Sequence, residues 1–283
     1  MELNASHLIT LHNGVAIPEI GYRVDRNHPD EIYGNITSAL RAGFRHFDLP
    51  VSREAEKIAA SAFKDSGIPR YELFLTVKLP NSEHGYDRAI RSFNQSLKRL
   101  ETDYADIFLI NWPNPVQYRD KYEEISEETW RALESLYKSG KTRAIGLANY
   151  EARHIEQILV HSEIAPMVNQ ARIYPGFPFD DNLQCANEHS IQTIGFLPPD
   201  HQAILASREL QIFARKYNAT PRQICIRYLL EKKCMALCQG KEYEELRDIG
   251  RVYDFALAED DMKYLDAMKN YGLANIDPDT CDF

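Results

Sequence analysis

Ile107-Phe-Leu-Ile-Asn111-Trp112-Pro113 is a short apolar run of β type that stops at an amide, an indole and a proline, the pattern of a strand delivering polar groups at its end. The same form recurs in both directions along the chain. Upstream lie a stretch ending Pro18-Glu-Ile20, then Phe44-Arg-His46-Phe47-Asp48 and Leu73-Phe-Leu-Thr-Val-Lys78. Downstream lie Ala144-Ile-Gly-Leu-Ala-Asn149, Met167-Val-Asn-Gln170, Thr193-Ile-Gly-Phe196 and Met235-Ala-Leu-Cys238. Between them, residues 30–42, 86–100, 126–139 and 207–217 repeat apolar positions every three and four residues, as amphipathic helices do. Eight strands alternating with helices predict a (β/α)8 TIM barrel of α/β class over 1–283, one domain without a linker. A doubly wound nucleotide-binding sheet would need a Gly-rich turn after its first strand, and Gly21-Tyr-Arg-Val-Asp-Arg26 holds no GxGxxG. Ahead of the barrel, Asn13-Gly14 between two short apolar runs predicts an N-terminal β-hairpin.

Composition narrows the class of function. The chain has 283 residues, 44% hydrophobic, with a formal net charge of −9, which argues against a nucleic-acid partner, because such binding rests on clustered Lys and Arg. Five scattered cysteines show no CxxC and no Cys/His ligand spacing, so no metal site is expected and reduced thiols in a cytoplasmic setting fit best. No apolar run reaches membrane-spanning length. His154, His161, His189 and His201 sit in polar surroundings and are expected to be solvated.

In such a barrel the reactive side chains stand at the C-terminal ends of the strands. Those ends carry Asp48, Lys78, Asn111 with Trp112, Asn149, Gln170 and Phe196. Two opposite charges and several amides around one mouth form the candidate site. The Asp48–Lys78 pair reads equally as a buried structural ion pair and as a functional one.

With these residues in view, the chain resembles the aldo-keto reductase family of NADP(H)-dependent carbonyl reductases, nearly end to end. The resemblance rests on Gly43-Phe-Arg-His-Phe-Asp48, Glu72-Leu-Phe-Leu-Thr-Val-Lys78-Leu79, Ser96-Leu-Lys-Arg-Leu100, Asp103-Tyr-Ala-Asp-Ile-Phe-Leu-Ile-Asn111-Trp112-Pro113, Lys141-Thr-Arg-Ala-Ile-Gly-Leu-Ala-Asn149, Val168-Asn-Gln170 and Asp277-Pro-Asp-Thr-Cys-Asp-Phe283. It implies a tyrosine that protonates the carbonyl oxygen while a nicotinamide delivers hydride. It also implies a Lys–Asp pair that lowers the tyrosine's pKa and a histidine that orients the substrate. On this basis Asp48, Lys78 and Asn111 are the candidate catalytic residues and Trp112 the candidate substrate contact. Asn149, Gln170 and Phe196 are the candidate cofactor contacts.

The chain departs from the family at several of these positions. Where the resemblance calls for the tyrosine it reads Asp48-Leu-Pro-Val-Ser52-Arg53-Glu54, and Asn111 stands at the histidine position. Neither a serine hydroxyl nor a guanidinium replaces a phenol as an acid. After the first strand the family's Gly-Thr-Trp is matched by Arg23-Val24-Asp25, and after the seventh the chain reads Phe196-Leu197-Pro198-Pro199. Gln239, Gly240, Glu245 and Ile249 stand where a Lys-Ser with a later Arg and Asn would hold the adenosine phosphate. A carboxylate there is expected to repel a phosphate.

The sequence alone therefore favours a barrel that has lost or strongly reduced NADPH-dependent carbonyl reduction and been repurposed for small-molecule binding, regulation or non-redox chemistry on Asp48 and Lys78. A ligand is expected at the mouth, with a protein partner left open. The alternative is an NADP(H)-dependent aldo/keto reductase with a substituted proton donor, for which Tyr22 and Tyr174 are the candidates, although side-chain alternation along a strand argues against Tyr22.

Overall fold

Strands β3 (Ile20–Arg23), β4 (His46–Asp48), β5 (Phe74–Leu79), β6 (Ala105–Ile110), β7 (Thr142–Ala148), β8 (Val168–Arg172), β9 (Gln192–Phe196) and β10 (Met235–Cys238) run parallel, and β10 pairs back onto β3 to close a barrel. This is a computed structural model, and it describes residues 7–197, 202–271 and 276–282. Ahead of the barrel, β1 (Leu8–Thr10) and β2 (Ala16–Pro18) form the expected antiparallel hairpin, with Leu8 opposite Pro18. Gly14 takes a positive φ of 84° at its turn. All six residues of β5 and all six of β6 are buried, as parallel strands covered on both faces require.

The first barrel strand differs from the sequence expectation. The run ending Pro18-Glu-Ile20 is split: Ala16–Pro18 belongs to the hairpin and the barrel strand begins at Ile20. Proline has no N–H to offer a central ladder, so the chain leaves the hairpin there. The consequence is that Arg23, not Ile20, stands at the strand's C-terminal end. Asn111 and Asn149 likewise fall just beyond β6 and β7, and Asn149 has a left-handed φ of 63°, a conformation asparagine tolerates better than most residues.

The described helices are α1 (Pro29–Arg41), α2 (Arg53–Asp65), α3 (Tyr86–Arg99), α4 (Tyr122–Lys138), α5 (Ala152–His161), α6 (Asp180–Glu188), α7 (Gln202–Leu205), α8 (Arg208–Lys216), α9 (Pro221–Glu231), α10 (Tyr243–Asp248) and α11 (Glu259–Asp266). The four segments with helical periodicity fall on α1, α3, α4 and α8. None of the described helices is long and apolar enough to cross a membrane. Local chemistry sets several starts. Pro29 at the first turn of α1 is followed by Asp30 and Glu31, which suits the positive end of the helix dipole. Thr220 and Gln223 form a reciprocal capping box on α9, satisfying two orphan N–H groups.

His154 corrects another expectation. It is buried, and its Nε2 lies 3.0 Å from Asp279 Oδ1, because the C-terminal tail folds back over α5. Asp279 also accepts from Asn114 and pairs with Arg153, and these partners pull its pKa down to about 2 against the opposing effect of burial. His161 and His189 are exposed as expected, while His201, Pro198 and Pro199, like Phe283 of the tail, lie outside the described residues.

Two glycines make opposite predictions. A Cβ on Gly146, in the middle of β7, would run into the Val168 carbonyl oxygen and side chain on β8, backbone that cannot step aside. Gly146→Ala is therefore expected to cost about 1–3 kcal/mol or more, read as a lower denaturant midpoint. Gly34 in α1 faces open space, so Gly34→Ala should raise stability by about 0.5–1 kcal/mol. Unchanged midpoints in both variants would contradict this packing.

Candidate active site

Strand register brings the first two charged groups together. Arg23 at the end of β3 is the direct cross-strand partner of Asp48 at the end of β4, and Lys78 stands near the end of β5 beside them. The Lys78 ammonium donates to Asp48 Oδ1 and to Leu49 O at 3.1 Å. Gln170 Nε2, from β8, donates to the same Asp48 Oδ1 at 3.0 Å. Asp48 Oδ2 has only Arg23 Nε, 3.8 Å away, and makes no hydrogen bond. Asp48 is 1% exposed and Lys78 8%, so a desolvated ammonium and a half-buried guanidinium share one buried carboxylate. Burial lowers the Lys78 pKa below the usual lysine value, opposed by Asp48, with Arg23 lowering it further. Burial likewise lowers the pKa of Arg23, against the pull of Asp48.

These groups sit on the wall of a cleft of about 600 Å³ at the C-terminal mouth of the barrel, which also reaches Asn111, Trp112, Asn149, Gln170 and Phe196. The structure thus brings Asp48, Lys78, Asn111, Trp112, Asn149, Gln170 and Phe196 together around one cleft. Asn111 Nδ2 donates to Asn81 Oδ1 at 3.2 Å, and the Asn111 carbonyl accepts from Asn149 Nδ2 at 2.8 Å. The Asn149 side chain thereby ties the end of β7 to the backbone just beyond β6, while the Asn111 side chain reaches Asn81.

Nothing in the segment where the resemblance calls for the tyrosine replaces it as an acid. Ser52, in the segment where the resemblance calls for it, is spent as the N-cap of α2, accepting from Ala55 N at 3.2 Å, and Arg53 is exposed. Both substitute tyrosines fail as well. Tyr22 donates its hydroxyl to Gly240 O at 2.8 Å and burial raises its pKa, because alternation along β3 turns it away from the side on which Arg23 meets Asp48. Tyr174 donates to Asn270 Oδ1 at 3.1 Å. Among the described residues no tyrosine lines the cleft.

Arg23, Arg26 and Arg172 of the cleft wall were not foreseen as site residues. Arg172 had a signal, since it lies two residues beyond Gln170 and so shares its face of β8. Arg222 changes the reading of the phosphate end. Its Nε is 2.9 Å from Glu245 Oε1, and its Nη1 donates to Gln239 O at 2.6 Å. The carboxylate at 245 is therefore neutralised by a guanidinium from α9, which corrects the expectation of a repelling pocket. Four cations and two carboxylates line the cleft of an acidic chain, amides and an aromatic ring stand on its wall, and Arg222 adds a guanidinium beyond it. This donor set fits a ligand that carries both phosphates and an amide-bearing ring, as NADP(H) does.

A closed parallel barrel with an ion pair and amides converging at its C-terminal mouth defines an enzyme-like site. The comparisons make the class specific, and the chain belongs to the aldo/keto reductase family: the model of the "Aldo/keto reductase family" matches residues 11–270. The chain is 32% identical to the glyoxal reductase of Bacillus subtilis (strain 168) over 280 residues, covering 99% of each chain. It is 30% identical to the 9,11-endoperoxide prostaglandin H2 reductase of Trypanosoma cruzi, covering 96% of this chain and 94% of that one. Among solved structures, an aldo-keto reductase from a Medee basin deep-sea metagenome library matches with a TM-score of 0.88 and 31% identity over 98% of this chain and all of that one. A Gox0644 variant in complex with NADPH matches with a TM-score of 0.88 and 30% identity, over 99% of this chain and all of that one. These findings overturn the expectation that carbonyl reduction has been lost or repurposed. Relatives matched over their whole length are named reductases, and a neighbour of the same fold holds NADPH.

Proposed function

We propose that this chain is an NADP(H)-dependent reductase of small carbonyl compounds in which the Lys78 ammonium, in place of a tyrosine hydroxyl, supplies the proton. The observation that carries this reading is the hydrogen bonding of Lys78 at the cleft wall. An ammonium has three N–H donors, and two are committed to Asp48 and Leu49. The third remains for a carbonyl oxygen.

The nicotinamide, when bound, supplies hydride to the carbonyl carbon. As that carbon accepts the electron pair, the carbonyl π electrons move to oxygen. The oxygen takes a proton from Lys78 Nζ, leaving a neutral amine and an alcohol. Burial makes this ammonium a stronger acid than an ordinary lysine, which favours the transfer. Asp48 holds the amine in place. Lys78 also borders a second cavity, of about 230 Å³, shared with Ser52, Arg53 and Ser82, which offers water a route to reprotonate it. Asn111 and Trp112 orient the substrate, and Asn149, Gln170 and Phe196 receive the nicotinamide end of the cofactor. The proposal includes a cytoplasmic setting, supported by five scattered cysteines with no CxxC or ligand spacing, with a small molecule at the mouth in place of nucleic acid or membrane.

The test is titration of NADPH and NADH into cofactor-free protein by calorimetry, followed by aldehyde-dependent loss of NADPH absorbance with glyoxal and simple aldehydes. Micromolar NADPH binding and aldehyde-dependent turnover are expected. No binding at millimolar cofactor, with the protein folded, would overturn the reading.

A further inference from the structure

One face of Phe196 is covered by Arg23. The guanidinium carbon lies 4.0 Å from the ring centroid, Nε is 3.8 Å from Asp48 Oδ2, and Nη1 donates to Leu197 O at 3.4 Å. With only 5% of Phe196 exposed, the ring has no second face to offer a ligand. A guanidinium is planar, delocalised and weakly hydrated, so on an aromatic face it takes the place of a flat heterocycle of similar thickness. We propose that Arg23 is a displaceable plug: its guanidinium fills the slot on Phe196 that the nicotinamide ring needs, and cofactor binding requires it to leave. The inference rests on the reductase reading above and concerns what sets the affinity of that site.

The contacts that hold Arg23 are of a kind that can be exchanged. The approach to Asp48 is too long for a hydrogen bond, and the bond to Leu197 O is at the long limit. When Arg23 swings away, Asp48 keeps Lys78 and Gln170 as partners, so the ion pair at the cleft wall survives the exchange. The side chain is 23% exposed, so it already reaches the solvent into which it would move. A glycine at this place, as in the segment that Arg23-Val24-Asp25 matches, would leave the slot open.

The sign of one measurement decides. NADPH is an anion, so removing a cation that merely contacts its phosphates must weaken binding. Removing a plug must strengthen it. NADPH dissociation constants are compared by calorimetry for the wild type, Arg23→Gly and Arg23→Ala, the alanine serving if glycine loosens the strand end, with melting curves to confirm the fold. The expected result is a dissociation constant at least about tenfold lower in the variants, equivalent to about 1.4 kcal/mol. Equal or weaker binding in folded variants overturns the plug and leaves the reductase reading intact, provided the wild type binds. Absence of binding in wild type and variants alike overturns the reductase reading and the plug with it.

Discussion

Replacing Lys78 by methionine is expected to lower kcat/KM for aldehyde reduction by roughly 10²–10⁴-fold, the usual contribution of a positioned proton donor. Methionine retains an unbranched chain in a site that is 8% exposed but brings neither a charge nor a proton. The loss should fall mainly on kcat, because the proton moves only as the carbonyl is reduced. Asp48 would then depend on Arg23 and Gln170, and breaking a buried ion pair destabilises a fold by several kcal/mol. Activity is therefore compared at a temperature well below the variant's melting point. Lys78→Arg separates charge from proton transfer: it keeps a cation beside Asp48 but does not deprotonate, so it should be nearly as inactive. The pH profile gives a second readout. Burial lowers the Lys78 pKa, and only the ammonium can donate, so wild-type kcat should fall on the alkaline side, below the ordinary lysine range. A residual activity in Lys78→Arg should lack that limb. If Lys78→Met retains wild-type kcat, the proton comes from elsewhere.

How far the sequence carries toward this site depends on distance along the chain. The barrel was legible because each strand is a short apolar run bounded by polar residues, so eight separate local signals agree. The Asp48–Lys78 pair followed from the topology, since adjacent parallel strands must present their C-terminal ends side by side. Arg23 could be seen to stand where a glycine was expected, yet its position opposite Asp48 depends on where β3 begins. That start is fixed by the hairpin leaving at Pro18, a boundary that the apolar pattern of 15–20 does not mark. Its stacking on Phe196 joins residues 173 positions apart. Arg222 is a similar case: it neutralises Glu245 from a helix on the other side of β10, and comparing residues position by position at the phosphate end showed only a lost cation. A substitution read at one position carries no sign of a side chain that compensates it from another element, as Arg222 does for Glu245. The orientation of Tyr22 follows from alternation along its strand, whereas the burial of His154 leaves no mark on its polar sequence neighbours, because the tail that covers it lies 125 residues away.

Acidification from pH 6.5 to 4 is expected to remove about 6 kcal/mol of stability through two buried histidines, enough to unfold a domain of ordinary stability. His46 and His84 are 0% and 1% exposed. His46 Nε2 lies 2.9 Å from Thr76 Oγ1, while Nδ1 has no partner, and a Cβ on Gly21 would come within 2.5 Å of it. Neither ring nitrogen of His84 has a hydrogen-bond partner, and the ring stacks against Tyr118 at 5.9 Å. Burial pulls the His46 pKa down to about 4, only partly offset by Asp48 and Asp106. Burial, helped by Arg88, pulls that of His84 down to about 3. Both folded values lie below the unfolded value of about 6.5. As pH falls through 6.5, the unfolded chain therefore takes up protons that the folded chain refuses, and the balance shifts toward unfolding. Each histidine contributes about 1.4 kcal/mol per pH unit over that window, or about 3 kcal/mol by pH 4, until the folded form itself begins to protonate. Carboxylates with depressed values, such as Asp279 near 2, lose their contribution at still lower pH and add to the same slope. His84→Phe isolates one share. It keeps a ring against Tyr118, buries no unsatisfied nitrogen and cannot titrate, so urea midpoints at pH 7 and 4.5 should differ less in the variant than in the wild type. The expected narrowing is about 2–3 kcal/mol, from 1.4 kcal/mol per unit over the two units between 6.5 and 4.5. Identical pH dependence in both proteins would mean that His84 is solvated or paired in solution, contrary to its place between Arg88 and Tyr118.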